Sequence, residues 1–121
     1  MPKRTRREYL QLLDAAKRAA EGAIGAFNSV RSPYRRETAL ILLANGWELL
    51  AKAVLVHAKE SILRGQRGET IAGEMAVFRL QQKGLLDATQ SQTIQQVISL
   101  RHSAIHHVLP PVPDEVLHHL L

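Results

Sequence analysis

The chain has no cysteine among its 121 residues. That excludes disulfide staples and thiolate chemistry, and it fits a reducing compartment. Aromatic residues are scarce, with one Trp, two Tyr and two Phe. A core built from this chain must therefore be Leu, Ile, Val and Ala, with Trp47 as the one large anchor expected inside it. Long apolar runs are also missing. The longest, Ala39 to Ala44, is far shorter than the ~20 residues of a membrane span. The basic start, Met1 to Arg7, is not followed by a continuous apolar stretch, so no signal peptide is expected. A soluble cytoplasmic protein, with no membrane partner, is the default expectation. No strand alternation, repeat or low-complexity segment is visible, and no Gly-rich phosphate loop, Ser-His-Asp order or paired-carboxylate site stands out.

The net charge of +5 is unevenly spread. Residues 1–36 hold nine Lys/Arg against three Asp/Glu, and the remainder seven against eight. The positive field therefore belongs to the first helix and its flanks. Such asymmetry suits a polyanion or an acidic partner, and equally a solvated basic tail. Arg4, Arg6 and Arg7, with Arg35 and Arg36, are candidate RNA-backbone contacts. A long helix separates the two groups, so they are not expected to form a single patch within one subunit.

Apolar spacing predicts a single all-α domain, a four- to five-helix up-and-down bundle. Helix one is expected from about Thr5 to Asn28, with Leu10, Leu13, Ala16, Ala20 and Ile24 as its stripe. Helix two should follow Pro33 and run to about Leu63. It is apolar nearly all round, the mark of a buried central helix. Residues 64–70 read as a polar, Gly-containing loop. A third helix is expected over Ile71 to Gln82, closed by Lys83-Gly84. Asp87 and Ser91 offer caps for a fourth, from about Ser91 to Leu109, stopped by Pro110-Pro111-Val112-Pro113. A fifth helix is expected to begin near Asp114 and to be cut short at Leu121.

The fourth helix carries one residue out of place. Ile94, Val97, Ile98, Ala104, Ile105 and Val108 make its apolar stripe. At about 100° per residue, Arg101 falls in the middle of it. A guanidinium stays charged at any ordinary pH and is costly to bury without partners. This face is therefore expected to line a polar cleft or a subunit seam with an anionic partner, and Glu48 is the obvious candidate for a purely structural ion pair. His102 and His106 lie one turn apart at the edge of the same stripe.

The segment Arg101-His102-Ser103-Ala104-Ile105-His106 resembles the Arg-x(4–6)-His signature of the HEPN superfamily, the higher eukaryotes and prokaryotes nucleotide-binding domain. His102 stands where that family often has a polar residue, and the motif sits late in an all-helical bundle, as in the family. Trp47 to Leu55 in helix two is similar to a Glu-Leu-Leu-x-Lys-Ala stretch of bacterial members. His107 also fits the motif spacing; His106 is preferred because it shares a face with His102.

The resemblance implies metal-independent RNA cleavage, or RNA binding in members that have lost activity. It implies a homodimer whose paired faces form one composite cleft, with Arg101 and His106 as catalytic residues and His102 orienting phosphate or carrying a proton. Glu48 and His107 would support them. No cofactor is implied. The biological context would be bacterial defence or a toxin–antitoxin pair, with an antitoxin or regulatory protein as partner. Such cleavage needs a base, an acid and a cation for phosphoryl oxygens, and histidine and arginine suit those roles.

Three readings compete: a catalytically silent RNA-binding or scaffold module, a helical protein-interaction domain, and a metal-binding bundle. His102 and His106 have metal-ligand spacing, and His118-His119 with Asp114 or Glu115 could complete a site, but no third ligand lies on the same helix and no metal is expected. Asn45, Glu48, Lys52 and Lys59 form a polar stripe on helix two. Lys52 and Lys59 are expected to be solvated, with Glu48 pairing Lys52 or bracing Arg101.

Overall fold

The structure, a computed structural model, describes residues 3–64 and 69–108. Four helices dominate it: α1 (Lys3–Phe27), α2 (Arg35–His57), α3 (Gly73–Gln82) and α4 (Ala88–Val108). The fold class is all-α, as the apolar spacing predicts. The fifth helix expected from Asp114 lies outside the described residues.

α2 is the hub. It packs against each of the other three helices, whereas α1 packs on α2 and on no other helix among the described residues. Ala44, Ala51, Leu55 and Val56 of α2 meet Ala76, Val77 and Leu80 of α3 and Ile94 and Ile98 of α4 in one core. α2 is long and apolar enough to cross a membrane, a length and apolarity that the short run Ala39 to Ala44 understates. Here its apolar surface is what the other helices pack against, an arrangement compatible with a small soluble protein.

Helix two is shorter than its periodicity suggests. It ends at His57; the N–H of its cap Ala58 returns to the Val54 carbonyl and that of Lys59 to the Val56 carbonyl. Lys59 then takes a left-handed φ of 63°, which turns the chain out of the helix. Beyond the turn Ile62 is buried. Leu63 and Arg64 pair antiparallel with Thr70 and Glu69 in a two-residue ladder, too short to leave a sequence signal.

This return has a topological effect. Ile94 of α4 shares a hollow with Leu50, Ala51 and Val54 of α2, and Arg101, further along α4, reaches back to Asn45 and Glu48, so α4 runs antiparallel to α2. Gly73, at the start of α3, lies against Glu48, and Arg79 near its end reaches the Ser61 carbonyl. α3 therefore runs in the same general sense as α2. The up-and-down order holds for α1–α2 and α3–α4, and the hairpin carries the chain back between the two pairs.

α4 begins at Ala88, earlier than expected, because Asp87 caps it alone. Asp87 Oδ1 accepts from the Gln90 N–H at 2.7 Å, and Gln90 Oε1 accepts from the Asp87 N–H at 3.0 Å. This reciprocal capping box leaves Ser91 inside the helix, where it is buried. α3 closes at Gly84 with φ +77°, as the Lys-Gly pair predicts.

α1 departs from its expected stripe. Where α1 crosses Gly46 the residues turned onto α2 are small, Ala16, Ala19 and Ala20, while Tyr9 and Leu12 pack against the core nearer its start. Leu10, Leu13 and Ile24 are 49%, 37% and 64% exposed. Two of them, Leu10 and Leu13, with Leu43, Trp47 and Leu50, line an apolar groove of about 590 Å³ between α1 and α2. Trp47, expected as an internal anchor, stands at the wall of that groove. Among the described residues α1 has α2 as its single helical neighbour, so its apolar arc is wider than the contact it makes there.

Candidate functional site

Ile94, Ile98 and Ala104 turn α4 onto the core, and Arg101 falls in line with them. Its guanidinium meets the one polar strip of α2. Nη1 donates to Asn45 Oδ1 at 2.7 Å and to Glu48 Oε2 at 2.8 Å, with the Arg101 and Glu48 side chains each a fifth exposed. The ion pair suggested by the sequence is thus present. Among the described residues only Nη1 is used. No buried side-chain polar atom is left unpaired among the described residues. Nε and Nη2 donate to no described residue, and such guanidinium donors suit an oxyanion.

Glu48 is fully engaged. Its second oxygen, Oε1, lies 3.3 Å from Lys52 Nζ. Burial alone pushes the Glu48 carboxyl up. The Arg101 hydrogen bond, the Lys52 and Arg101 charges and the Lys52 hydrogen bond together outweigh it, so Glu48 is held below the usual carboxylate range. An ionised carboxylate with both oxygens paired to cations is a poor proton acceptor. Glu48 is an anchor for Arg101 and not a general base.

Lys52 is not the solvated residue expected from its spacing. It is buried, and it also donates to Thr70 Oγ1 at 2.7 Å. The solvent side of α2 carries apolar residues, Leu43 and Trp47, and the polar strip at i, i+3 and i+7 lies on another face. Asn45, Glu48 and Lys52 therefore turn toward α4 and the hairpin. Lys59 lies beyond the helix and is exposed. Sequence reasoning missed Lys52, Thr70 and Asn45 as neighbours of the site. The all-round apolarity of α2 was the signal that could have found Asn45 and Lys52; nothing local marks Thr70.

His102 and His106 are exposed and touch each other. Their Nε2 atoms are 3.2 Å apart and the rings meet edge to face, with centroids 4.6 Å apart. One nitrogen must carry the proton and the other accept it. The pair therefore sets a proton donor and an acceptor side by side on the helix that carries Arg101. No third His, Asp or Glu joins them in a metal-ligating group among the described residues. The side chain of His107 lies outside the described residues, as do His118, His119, Asp114 and Glu115.

The basic residues divide. Arg6 and Arg7 share a shallow depression with Lys3 at the start of α1. Arg4 faces a different hollow, with Glu8, Lys59 and Glu60. Arg35, a candidate RNA contact, has structural work: Nη1 donates to the Phe27 carbonyl at 2.8 Å and the guanidinium sits 5.3 Å from the Phe27 ring centroid, clamping the α1–α2 turn. Arg36 stands at the end of an apolar hollow with Phe27 and Leu40. α1 has 25 residues, roughly 37 Å at 1.5 Å per residue, so the two basic ends stay apart in one protomer.

The family model described as "Domain of unknown function (DUF3644)" matches residues 11–120. The chain belongs to the DUF3644 family. The match takes in α2, α3 and α4, and with them every residue of the Arg101 network and both paired histidines. It begins after Lys3, Arg6 and Arg7, which lie outside the matched residues. No curated protein and no solved structure matches the chain.

Proposed function

We propose that this DUF3644 protein is a HEPN-like, metal-independent endoribonuclease. The observation that carries the reading is Arg101. It is fixed in the α2–α4 seam through one nitrogen, its other donors engage no described residue, and a hydrogen-bonded histidine pair lies on the same helix. In the proposed reaction the neutral histidine takes the proton from a ribose 2′-OH. The 2′-oxygen attacks the adjacent phosphorus, and the bond to the 5′-oxygen breaks. The protonated histidine gives its proton to that leaving oxygen. The products are a 2′,3′-cyclic phosphate and a 5′-OH. Arg101 stabilises charge on the non-bridging oxygens.

His106 is assigned as the principal proton carrier and His102 as its partner. A homodimer would set two copies of this helix face across a two-fold axis, since such a contact uses the same residues on both sides. RNA is the substrate, a cytoplasmic defence or toxin–antitoxin setting the context, and an antitoxin-like protein the regulator. The exposed groove of Leu10, Leu13, Leu43, Trp47 and Leu50 favours a second reading, a helical protein-interaction domain without catalysis.

Incubation of a mixed RNA pool in excess EDTA tests the first reading. Wild type should cleave, and Arg101→Ala and His106→Ala should not, with helical content retained in both. Intact RNA with folded wild type would turn the assignment to the interaction domain.

A further inference from the structure

Four elements converge on Glu48. α4 supplies Arg101 at 2.8 Å, α2 itself supplies Lys52 at 3.3 Å, and the hairpin strand Glu69–Thr70 supplies the hydroxyl that holds Lys52 at 2.7 Å. α3 begins on top of the carboxylate. A Cβ on Gly73 would lie 3.0 Å from Glu48 Cγ and 3.1 Å from Cδ. The carboxylate is thus gripped from both sides and cannot swing without disturbing a partner.

We infer that Lys52 is a positioning residue for Arg101, acting through Glu48, and that Thr70 holds it in place, so that the hairpin after α2 sets the direction in which the remaining nitrogens of Arg101 point. The geometry gives three reasons. Lys52 is buried yet has no solvent-facing role, so its charge must be balanced where it stands. It occupies the one Glu48 oxygen that Arg101 does not use, which leaves the carboxylate a single orientation. Arg101 is anchored through one nitrogen, and a guanidinium held at one corner can pivot unless its acceptor is itself fixed. A ligand oxyanion meets the remaining two donors at a set angle only if that pivot is stopped.

The catalytic consequence rests on the nuclease reading; the positional claim does not. Side-chain ¹⁵N NMR of arginine-labelled protein reads it directly, with Arg101 assigned by its loss in Arg101→Lys. Wild type should show separate Nη signals for Arg101, the mark of a guanidinium whose rotation is hindered. Thr70→Val, at an exposed position that leaves the core intact, should merge or broaden them, and Thr70→Ser should restore them. Lys52→Met should loosen Arg101 further. Unchanged Arg101 signals in folded Thr70→Val would overturn the tether. In RNA cleavage, Thr70→Val should lower kcat about tenfold, less than the hundredfold of a 1 Å misplacement, with an unshifted pH profile. Loosened Arg101 signals in a protein that never cleaves RNA would uphold the tether and count against the nuclease.

Discussion

Glu48 accepts from two cations at once, and its acid titration should register that. Its carboxyl is held below the ordinary value of 4.5. A group whose folded value is depressed stabilises the native state fully above its unfolded value and loses that contribution as pH falls through the folded one. Wild type should therefore lose stability on acidification from about pH 4.5 downward more steeply than Glu48→Gln, which has nothing to protonate there. Urea midpoints at stepped pH check this. Glu60, whose carboxyl is also lowered by Lys83, is present in both proteins and cancels in the comparison. Parallel curves would mean the Glu48 network is not formed. At neutral pH, Arg101→Ala should cost about 1.5–3 kcal/mol, the range for a hydrogen bond to a charged partner. The fold should survive, because Lys52 still compensates Glu48.

At the level of elements, the helices rest on two different devices. α4 rests on its cap and its core face. Asp87→Ala should destabilise by about 1 kcal/mol, since it leaves the Gln90 N–H unpaired at the helix start. Ile98→Ala should cost about 2–5 kcal/mol, because Ile98 is 2% exposed at the centre of the α2–α3–α4 core. Denaturant unfolding ranks the two, and a cap variant as damaging as the core variant would contradict the packing described. These elements also show how far the sequence could be read. The α4 stripe was legible because apolar residues at helical spacing point one way, and Arg101 stood out against it. The end of α2 was not legible: His57, Lys59, Glu60 and Ser61 are residues a helix can hold, and the break at Lys59 is a backbone conformation with no glycine or proline to announce it. The exposure of Leu10 and Leu13 was equally hidden, since a stripe tells which face is apolar and not how many neighbours cover it.

For the whole molecule, one arrangement governs both stability and proposed function. α2 buries a polar strip against α4, and that strip turns an arginine from a liability in a core into a fixed, largely buried cation on the helix that also carries the two histidines. The Arg101–Glu48 pair was foreseeable from helical spacing, because a guanidinium on an apolar stripe needs a carboxylate and α2 offers one in its middle. The Lys52–Thr70 contact was not, because it depends on where a two-residue ladder returns the chain.

The most direct test of the proposed nuclease activity uses an oligodeoxynucleotide carrying a single ribonucleotide, incubated in EDTA with wild type. Attack by a 2′-hydroxyl predicts one cut, immediately 3′ of the ribose, leaving a 2′,3′-cyclic phosphate, with the all-deoxy strand untouched. Cutting of the all-deoxy strand, or no cutting of either by folded protein, would contradict the account.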